Sequence, residues 1–204
     1  GIGNAVSDVI ATTSDAFLVE NGVEKGIMQL IDQPRAKELF SAMGARTETP
    51  GGSVANTISG LGSLGVRTAF IGRVADDELG LSYATAMAVE GTDFPNPPVA
   101  NAMLPTSRSM IFVSPDGERS MNTYLGPADV SEEVVSNCEF LFLEGYLFDK
   151  DPGKAAFRKA AERARLTGAR AGISLSDPFC VDRHRDDFRA LVSGPLDFFL
   201  CNEE

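Results

Sequence analysis

The chain has 204 residues, 43% of them apolar and 23% charged, with 20 Gly and 11 Pro. That is the composition of a globular protein, and it excludes a disordered chain, a collagen repeat and a coiled coil. With 29 acidic against 18 basic residues the formal charge is −11, so there is no basic stripe to neutralise nucleic-acid phosphates or to seek anionic membranes. No apolar run approaches the roughly 18 residues of a membrane span, and no signal-like segment opens the sequence. The expected location is the cytoplasm, and the expected partner is a small molecule.

In chain order, Gly1-Ile2-Gly3-Asn4-Ala5 reads as the end of a strand. Ile31 to Met43 has helical spacing of apolar residues and stops at Gly44. Ser53 to Leu64 is a second helix, with Ser53 as its expected N-cap and Gly65 as its stop. Val66 to Gly72 reads as a strand, and Asp77 to Glu90 as a helix closed by Gly91. Ser109–Ser114 and Glu118–Tyr124 flank Pro115-Asp116-Gly117, a hairpin signal. The apolar run Phe140–Leu143 fits a strand buried on both faces. A helix over Pro152–Leu166, a strand over Ala171–Leu175, a helix over Val181–Val192 and a strand ending at Cys201 complete the series. Strands alternating with helices of this length predict an α/β fold, a doubly wound and mostly parallel sheet with helices on both faces. The hairpin breaks the alternation and is expected to form part of a small β lid.

Histidine and cysteine chemistry is sparse. Cys138, Cys180 and Cys201 are odd in number and lack a C-x-x-C pair, so neither a disulfide framework nor a zinc site is expected. The lone histidine, His184, lies in the charged run Asp182–Asp187 and is expected on a solvated helix face. The run Gly60-Leu61-Gly62-Ser63-Leu64-Gly65 fits G-x-G-x-x-G by letter. It closes a helix and precedes a strand, however, and a dinucleotide fingerprint needs the opposite order. An NAD(P)-dependent enzyme is therefore the weaker alternative.

Gly51-Gly52-Ser53-Val54-Ala55-Asn56 carries more information. Two glycines at a helix N-terminus let backbone amides approach a ligand, and Asn56 in the first turn offers both a donor and an acceptor. The set suits a polyhydroxylated ligand as well as it suits a flexible turn. Asn4 and Asp8 follow the carboxyl end of the first strand, where doubly wound sheets bind ligands. A carboxylate there can accept from two neighbouring hydroxyls, or it can simply close an Asx turn.

From Gly51-Gly52-Ser53-Val54-Ala55-Asn56 through Leu64-Gly65-Val66 to Phe70-Ile71-Gly72-Arg73-Val74-Ala75-Asp76-Asp77-Glu78-Leu79-Gly80, the sequence resembles the first signature of the ribokinase (PfkB) family of sugar and nucleoside kinases. Pro105-Thr106 with Ile111–Arg119 resembles the family's lid hairpin, with Thr106-Ser107 where Thr-Gly is usual. Asn202-Glu203 resembles the start of its Asn-x-x-Glu motif. The Asn4 to Asp8 spacing, Gln29 and Leu175-Ser176-Asp177-Pro178-Phe179 lean toward adenosine kinases and their bacterial sugar-kinase relatives.

The resemblance implies ATP-dependent phosphorylation of a primary hydroxyl on an adenosine-like nucleoside or a sugar, with ATP and Mg2+ as cofactors. It implies that Asp8, Gly52 and Asn56 hold ribose hydroxyls, Gly52 with its neighbour Gly51. Asn4 and Gln29 are implied nearby, with Ser109 facing the pocket from the lid. Asn202 is implied in the metal and phosphate network, and a homodimer through the lid is possible within the family. The second family signature, with the catalytic aspartate, is not found and is expected beyond Glu204. Residues 1–204 are thus expected to be the acceptor-binding part of one ribokinase-like domain, with a lid drawn from roughly 9–31 and 100–125. Alone, that part is expected to lack activity, which leaves a catalytically incomplete binding module as the second alternative.

Overall fold

The computed structural model describes residues 1–127 and 138–202. In chain order its elements are β1 (Val6–Thr12), α1 (Asp15–Glu20), β2 (Met28–Leu30), α2 (Gln33–Ala42), β3 (Thr47–Gly51), α3 (Ser53–Ser63), β4 (Thr68–Ala69), α4 (Glu78–Val89) and β5 (Thr92–Asp93). They continue with β6 (Ser107–Val113), β7 (Arg119–Tyr124), β8 (Phe140–Glu144), a 3-10 turn at Gly145–Asp149, α5 (Asp151–Thr167), β9 (Arg170–Ser174), α6 (Pro178–Val192) and β10 (Phe198–Leu200).

Ile2 joins the first sheet together. It is fully buried between two parallel neighbours, Ile71 and Leu143. Its amide donates to the Phe142 carbonyl at 2.8 Å, and its carbonyl accepts from Glu144 at 3.0 Å. On the other side, Gly3 donates to Ile71 and Ile71 to Gly1. Parallel pairs β4–β5, β8–β9 and β9–β10 extend the sheet outward from this centre.

Strand alternation divides its apolar residues between two helical layers. Leu141, Leu143, Ala171 and Ile173 pack with Phe157, Ala161 and Ala164 of α5 and Phe188 of α6. Phe70 and the half-buried Phe142 face the other way, toward Val54 and Ile58 of α3 and Tyr83 and Met87 of α4. The predicted doubly wound α/β architecture is therefore the observed one.

A second sheet, ordered β2-β7-β6-β1-β3, grows from the chain as it leaves the first strand. β1 runs parallel to β6 and antiparallel to β3, and β6–β7 is the predicted hairpin. One face of this sheet, with Val9, Met110, Phe112 and Tyr124, is sealed by Leu18 of α1 and Ala36 and Leu39 of α2. The other face looks into a cleft.

Several sequence expectations shift here. Met110 and Phe112 of the hairpin are fully buried against α1 and α2. Ser53 is the first residue of α3 and not its cap. The cap position is Gly52, at φ +103°, with no side-chain bond. The strand expected over Val66–Gly72 narrows to Thr68–Ala69 with a bridge at Ile71. Among the described residues, no helix is long and apolar enough to cross a membrane.

Candidate functional site

Register across the second sheet sets one wall of the cleft. Asp8 on β1 pairs with Thr49 on β3 and Ser109 on β6, Ser109 pairs with Thr123 on β7, and Thr123 pairs with Leu30 on β2. The next row on the same face runs Ile10, Ile111, Met121 and Met28. Of the residues that line the cleft, β1 and β6 contribute Asp8 and Ser109, and β2 and β7 contribute Met28, Leu30 and Met121 together with the polar Thr123 and Arg119. Ser109 Oγ and Thr123 Oγ1 lie 2.9 Å apart and orient each other.

The opposite wall is the carboxyl edge of the first sheet together with the N-terminus of α3. Asn4 follows the first strand, Gly52, Ser53 and Asn56 open α3, and Glu144 ends β8. Between the walls lies a cleft of about 240 Å³ lined by these residues with Met28, Leu30, Met121 and Leu125, and with Tyr146 and Asp149 of the 3-10 turn.

Glu144 organises this wall and is 1% exposed. One carboxylate oxygen accepts from the Asn4 amide at 2.6 Å and from Asn4 Nδ2 at 2.8 Å. The other accepts from the Ser53 amide at 3.1 Å and Ser53 Oγ at 2.6 Å. One buried charge therefore fixes both the end of the first strand and the first turn of α3, and its four donors offset its desolvation.

The two glycines are required by close approach. A Cβ on Gly51 would land on the Asp8 carboxyl group. A Cβ on Gly52 would lie 2.5 Å from the Asn4 carbonyl oxygen, at a φ that L-residues rarely adopt. The Gly51 carbonyl accepts from the buried Tyr83 hydroxyl at 2.9 Å, which holds β3 on α4. Gly51→Ala is accordingly expected to displace Asp8 and, for any ligand that Asp8 holds in the cleft, to raise the KM at least tenfold, because the carboxyl must leave its place. Gly52→Ala meets backbone as well as an unfavourable φ and should in addition lower Tm, at a cost of about 1–3 kcal/mol. Steady-state kinetics and thermal melts on the pair check this. Equal KM values for Gly51→Ala and the parent would refute it.

Asp8 sits within a strand, paired on both sides, so an Asx turn is not its role here. Burial in the cleft raises its pKa to about 6, and the Arg119 guanidinium on β7 partly opposes the shift.

The structure brings Asn4, Asp8, Gly52, Asn56 and Ser109 together around the cleft, with Gly51 directly behind Asp8. Gln29 is turned away. Its neighbours Met28 and Leu30 point into the cleft, and period-2 alternation sends Gln29 to the opposite face. There its Nε2 donates to Asn122 Oδ1 at 2.7 Å. Asn202 is exposed beyond β10. It lies on the carboxyl edge that carries Asn4 and Glu144, two strands or about 10 Å from β8. The next residue of the expected motif, Glu203, falls outside the described residues.

Thr106 and Ser107, at the departure from Thr-Gly, are both held. Thr106 Oγ1 donates to Asp77 Oδ1 at 2.7 Å, and Ser107 Oγ accepts from the Gly126 amide at 2.9 Å. Glu144, Arg119 and Tyr146 were not singled out from sequence. Only the placement of Glu144 directly after an apolar strand hinted at an edge position.

A parallel sheet wound on both faces, a second sheet folded over its carboxyl edge and a polar cleft between them define a ribokinase-like protein. Residues 26–204 match the pfkB family of carbohydrate kinases, and the chain belongs to that family. It is similar to the adenosine kinase of Sinorhizobium meliloti, with 46% identity and a TM-score of 0.89 over 97% of this chain and 62% of that one. A probable sugar kinase from Rhizobium etli CFN 42 is 42% identical, also with a TM-score of 0.89, over 97% of this chain and 62% of that one. The 5-dehydro-2-deoxygluconokinase of Halalkalibacterium halodurans is 29% identical over 133 residues, which is 61% of this chain and 40% of that protein. The chain thus spans less than two thirds of the length of these relatives.

Proposed function

We propose that the protein, in its full-length form, transfers a phosphoryl group from ATP to the primary hydroxyl of an adenosine-like nucleoside. The observation that carries this reading is the two-sided cleft. Asn4, Asp8, Gly52, Asn56 and Ser109 form a polar end suited to ribose hydroxyls, and Met28, Leu30, Met121 and Leu125 form an apolar end suited to a flat base. A sugar alone would leave that apolar surface uncovered. Similarity to the Sinorhizobium meliloti adenosine kinase supports the same acceptor.

In this reading Asp8 accepts from two vicinal hydroxyls, Asn56 donates and accepts beside it, and the Gly52 backbone approaches the ring closely. Glu144 keeps Asn4 and Ser53 in register around the acceptor. Such positioning is worth roughly 7–11 kcal/mol when alignment is good. The second sheet covers the cleft and keeps water from the reacting hydroxyl. Bound ATP with Mg2+ would supply the phosphoryl group and the charge neutralisation that its transfer requires. Asn202 is the residue of this chain that would face that network.

The test is ADP release by the full-length protein across adenosine, other nucleosides, ribose, fructose and 5-dehydro-2-deoxygluconate. Adenosine is expected to give the highest kcat/KM. A higher value for any free sugar overturns the nucleoside assignment, and no ADP release with any acceptor overturns the kinase reading.

A further inference from the structure

Asp149, Cys180 and His184 form the one group of three metal-ligating side chains among the described residues, and their ligand atoms all lie within 4.8 Å of one another. We propose that these three side chains form a binding site for a thiophilic divalent cation of the zinc class, separate from the magnesium that phosphoryl transfer uses. The assignment does not depend on which acceptor the cleft takes.

The donor set favours this chemistry. Thiol sulfur, imidazole nitrogen and carboxylate oxygen are the three ligand types of zinc, whereas magnesium takes oxygen alone. Cys180 and His184 are four residues apart on α6, so both project from one side of the helix toward the end of the 3-10 turn, where Asp149 stands. At His184 the helix departs from regular geometry, with φ −124° and ψ 22°. The side chains of His184 and Asp149 are 11% and 5% exposed, and Cys180 is fully buried. The imidazole is oriented against the rings of Phe148 and Phe188, 5.9 and 6.1 Å away between centroids.

Zinc–nitrogen and zinc–sulfur bonds of about 2.0–2.3 Å place tetrahedral ligands about 3.3–3.8 Å apart, so the three atoms need approach by only about 1 Å. His184 Nε2 now lies 2.8 Å from Asp149 Oδ1, and the cation would insert into that contact. Arg183, which holds both Asp149 oxygens at 3.0 Å, would keep its bond to Oδ2 and orient the carboxylate from outside. Binding expels the Cys180 thiol proton to solvent. The thiolate and carboxylate then balance the two positive charges, and the Asp177 carboxylate, whose Oδ1 accepts from the Cys180 amide, stands on the same helix turn. Asp149 also lines the acceptor cleft, so the fourth position of the cation is available on that side.

Co2+ added to the full-length protein tests the site, since thiolate coordination to Co2+ gives a charge-transfer absorption. One equivalent of Co2+ is expected to raise that band, and Zn2+ to abolish it by displacement. Cys180→Ala should lose the band and His184→Gln should weaken Co2+ affinity at least tenfold, with circular dichroism confirming that both variants fold. A Cys138→Ser/Cys201→Ser double variant leaves the site intact and must retain the full band. Absence of the band in the parent protein, or its loss in the double variant, overturns the proposal whether or not Cys180→Ala folds. Persistence of the band in folded Cys180→Ala overturns it as well.

Discussion

Glu144→Ala is expected to lower Tm by about 6–12 °C and to remove measurable turnover. The Glu144 carboxylate is buried and accepts four hydrogen bonds, from the backbone and side chain of Asn4 and the backbone and side chain of Ser53. Truncation leaves these donors facing a cavity, and breaking a buried charged network from one side costs about 3 kcal/mol or more. In a protein of this size each kcal/mol shifts Tm by about 2–4 °C. Glu144→Gln separates shape from charge. The amide fills the same space but turns one oxygen into a donor that points at other donors, so Tm should fall less while acceptor binding still fails. Differential scanning calorimetry and acceptor titration of both variants decide the matter. A Glu144→Ala protein with parental Tm would show that the network contributes nothing to holding the two walls together.

Helices α2 and α5 have apolar periodicity, and α2 and α4 have an aspartate cap: the Asp32 side chain accepts from Arg35 and that of Asp77 from Gly80. Their boundaries fell within about two residues. β8 and the β6–β7 hairpin were equally plain, because both are apolar or alternating runs bounded by turn residues. β3 was not legible. Thr47-Glu48-Thr49-Pro50 is a polar edge strand with no apolar alternation, and only its pairing with β1 makes it a strand. β1 hid for a related reason, since Asp8 occupies a position where alternation would place an apolar residue, and that position faces the cleft.

Of the candidate site residues, those that follow a local rule are ones the structure brings to the cleft, while positions set by tertiary context carry no local signal. Gly51, Gly52 and Asn56 sit at a helix start, a position readable from spacing. Gln29 lies on the face away from the cleft: a two-residue period decides which face it takes, and no sequence signal fixes that parity in a three-residue strand. Glu144 was hidden because its partners, Asn4 and Ser53, lie 140 and 91 residues away. His184 was read as solvated from its charged neighbours. It is instead packed on Phe148 and Phe188 and bonded to Asp149, on the same side of α6 as the buried Cys180 four residues earlier.

Asp8→Asn should separate activity from stability in opposite directions. In the folded protein burial lifts the Asp8 pKa from its ordinary 3.8 to about 6. Between those values the folded state holds a proton that the unfolded state has released, so stability falls as pH rises through the window and stays low above it. Asparagine keeps the shape and removes the charge. Its Tm is expected to match the parent near pH 4 and to exceed it at pH 8, the difference opening across the intervening range.

Activity should move the other way. An ionised Asp8 can accept from two acceptor hydroxyls, each such charge-assisted bond worth about 1.5–3 kcal/mol, whereas an amide offers one acceptor and one donor. Loss of about 3–4 kcal/mol corresponds to a drop in kcat/KM on the order of a hundred- to a thousandfold. The parental kcat/KM should decline below pH 6 as Asp8 takes up its proton, while the Asp8→Asn value stays low and flat at that limb. A variant less stable than the parent at pH 8 would mean that the Asp8 charge is stabilising in the fold and that Arg119, 111 positions along the sequence, outweighs the loss of water around it. If kcat/KM retained its acid limb in the variant, another group would own that ionisation and the acceptor hydroxyls would have a different anchor.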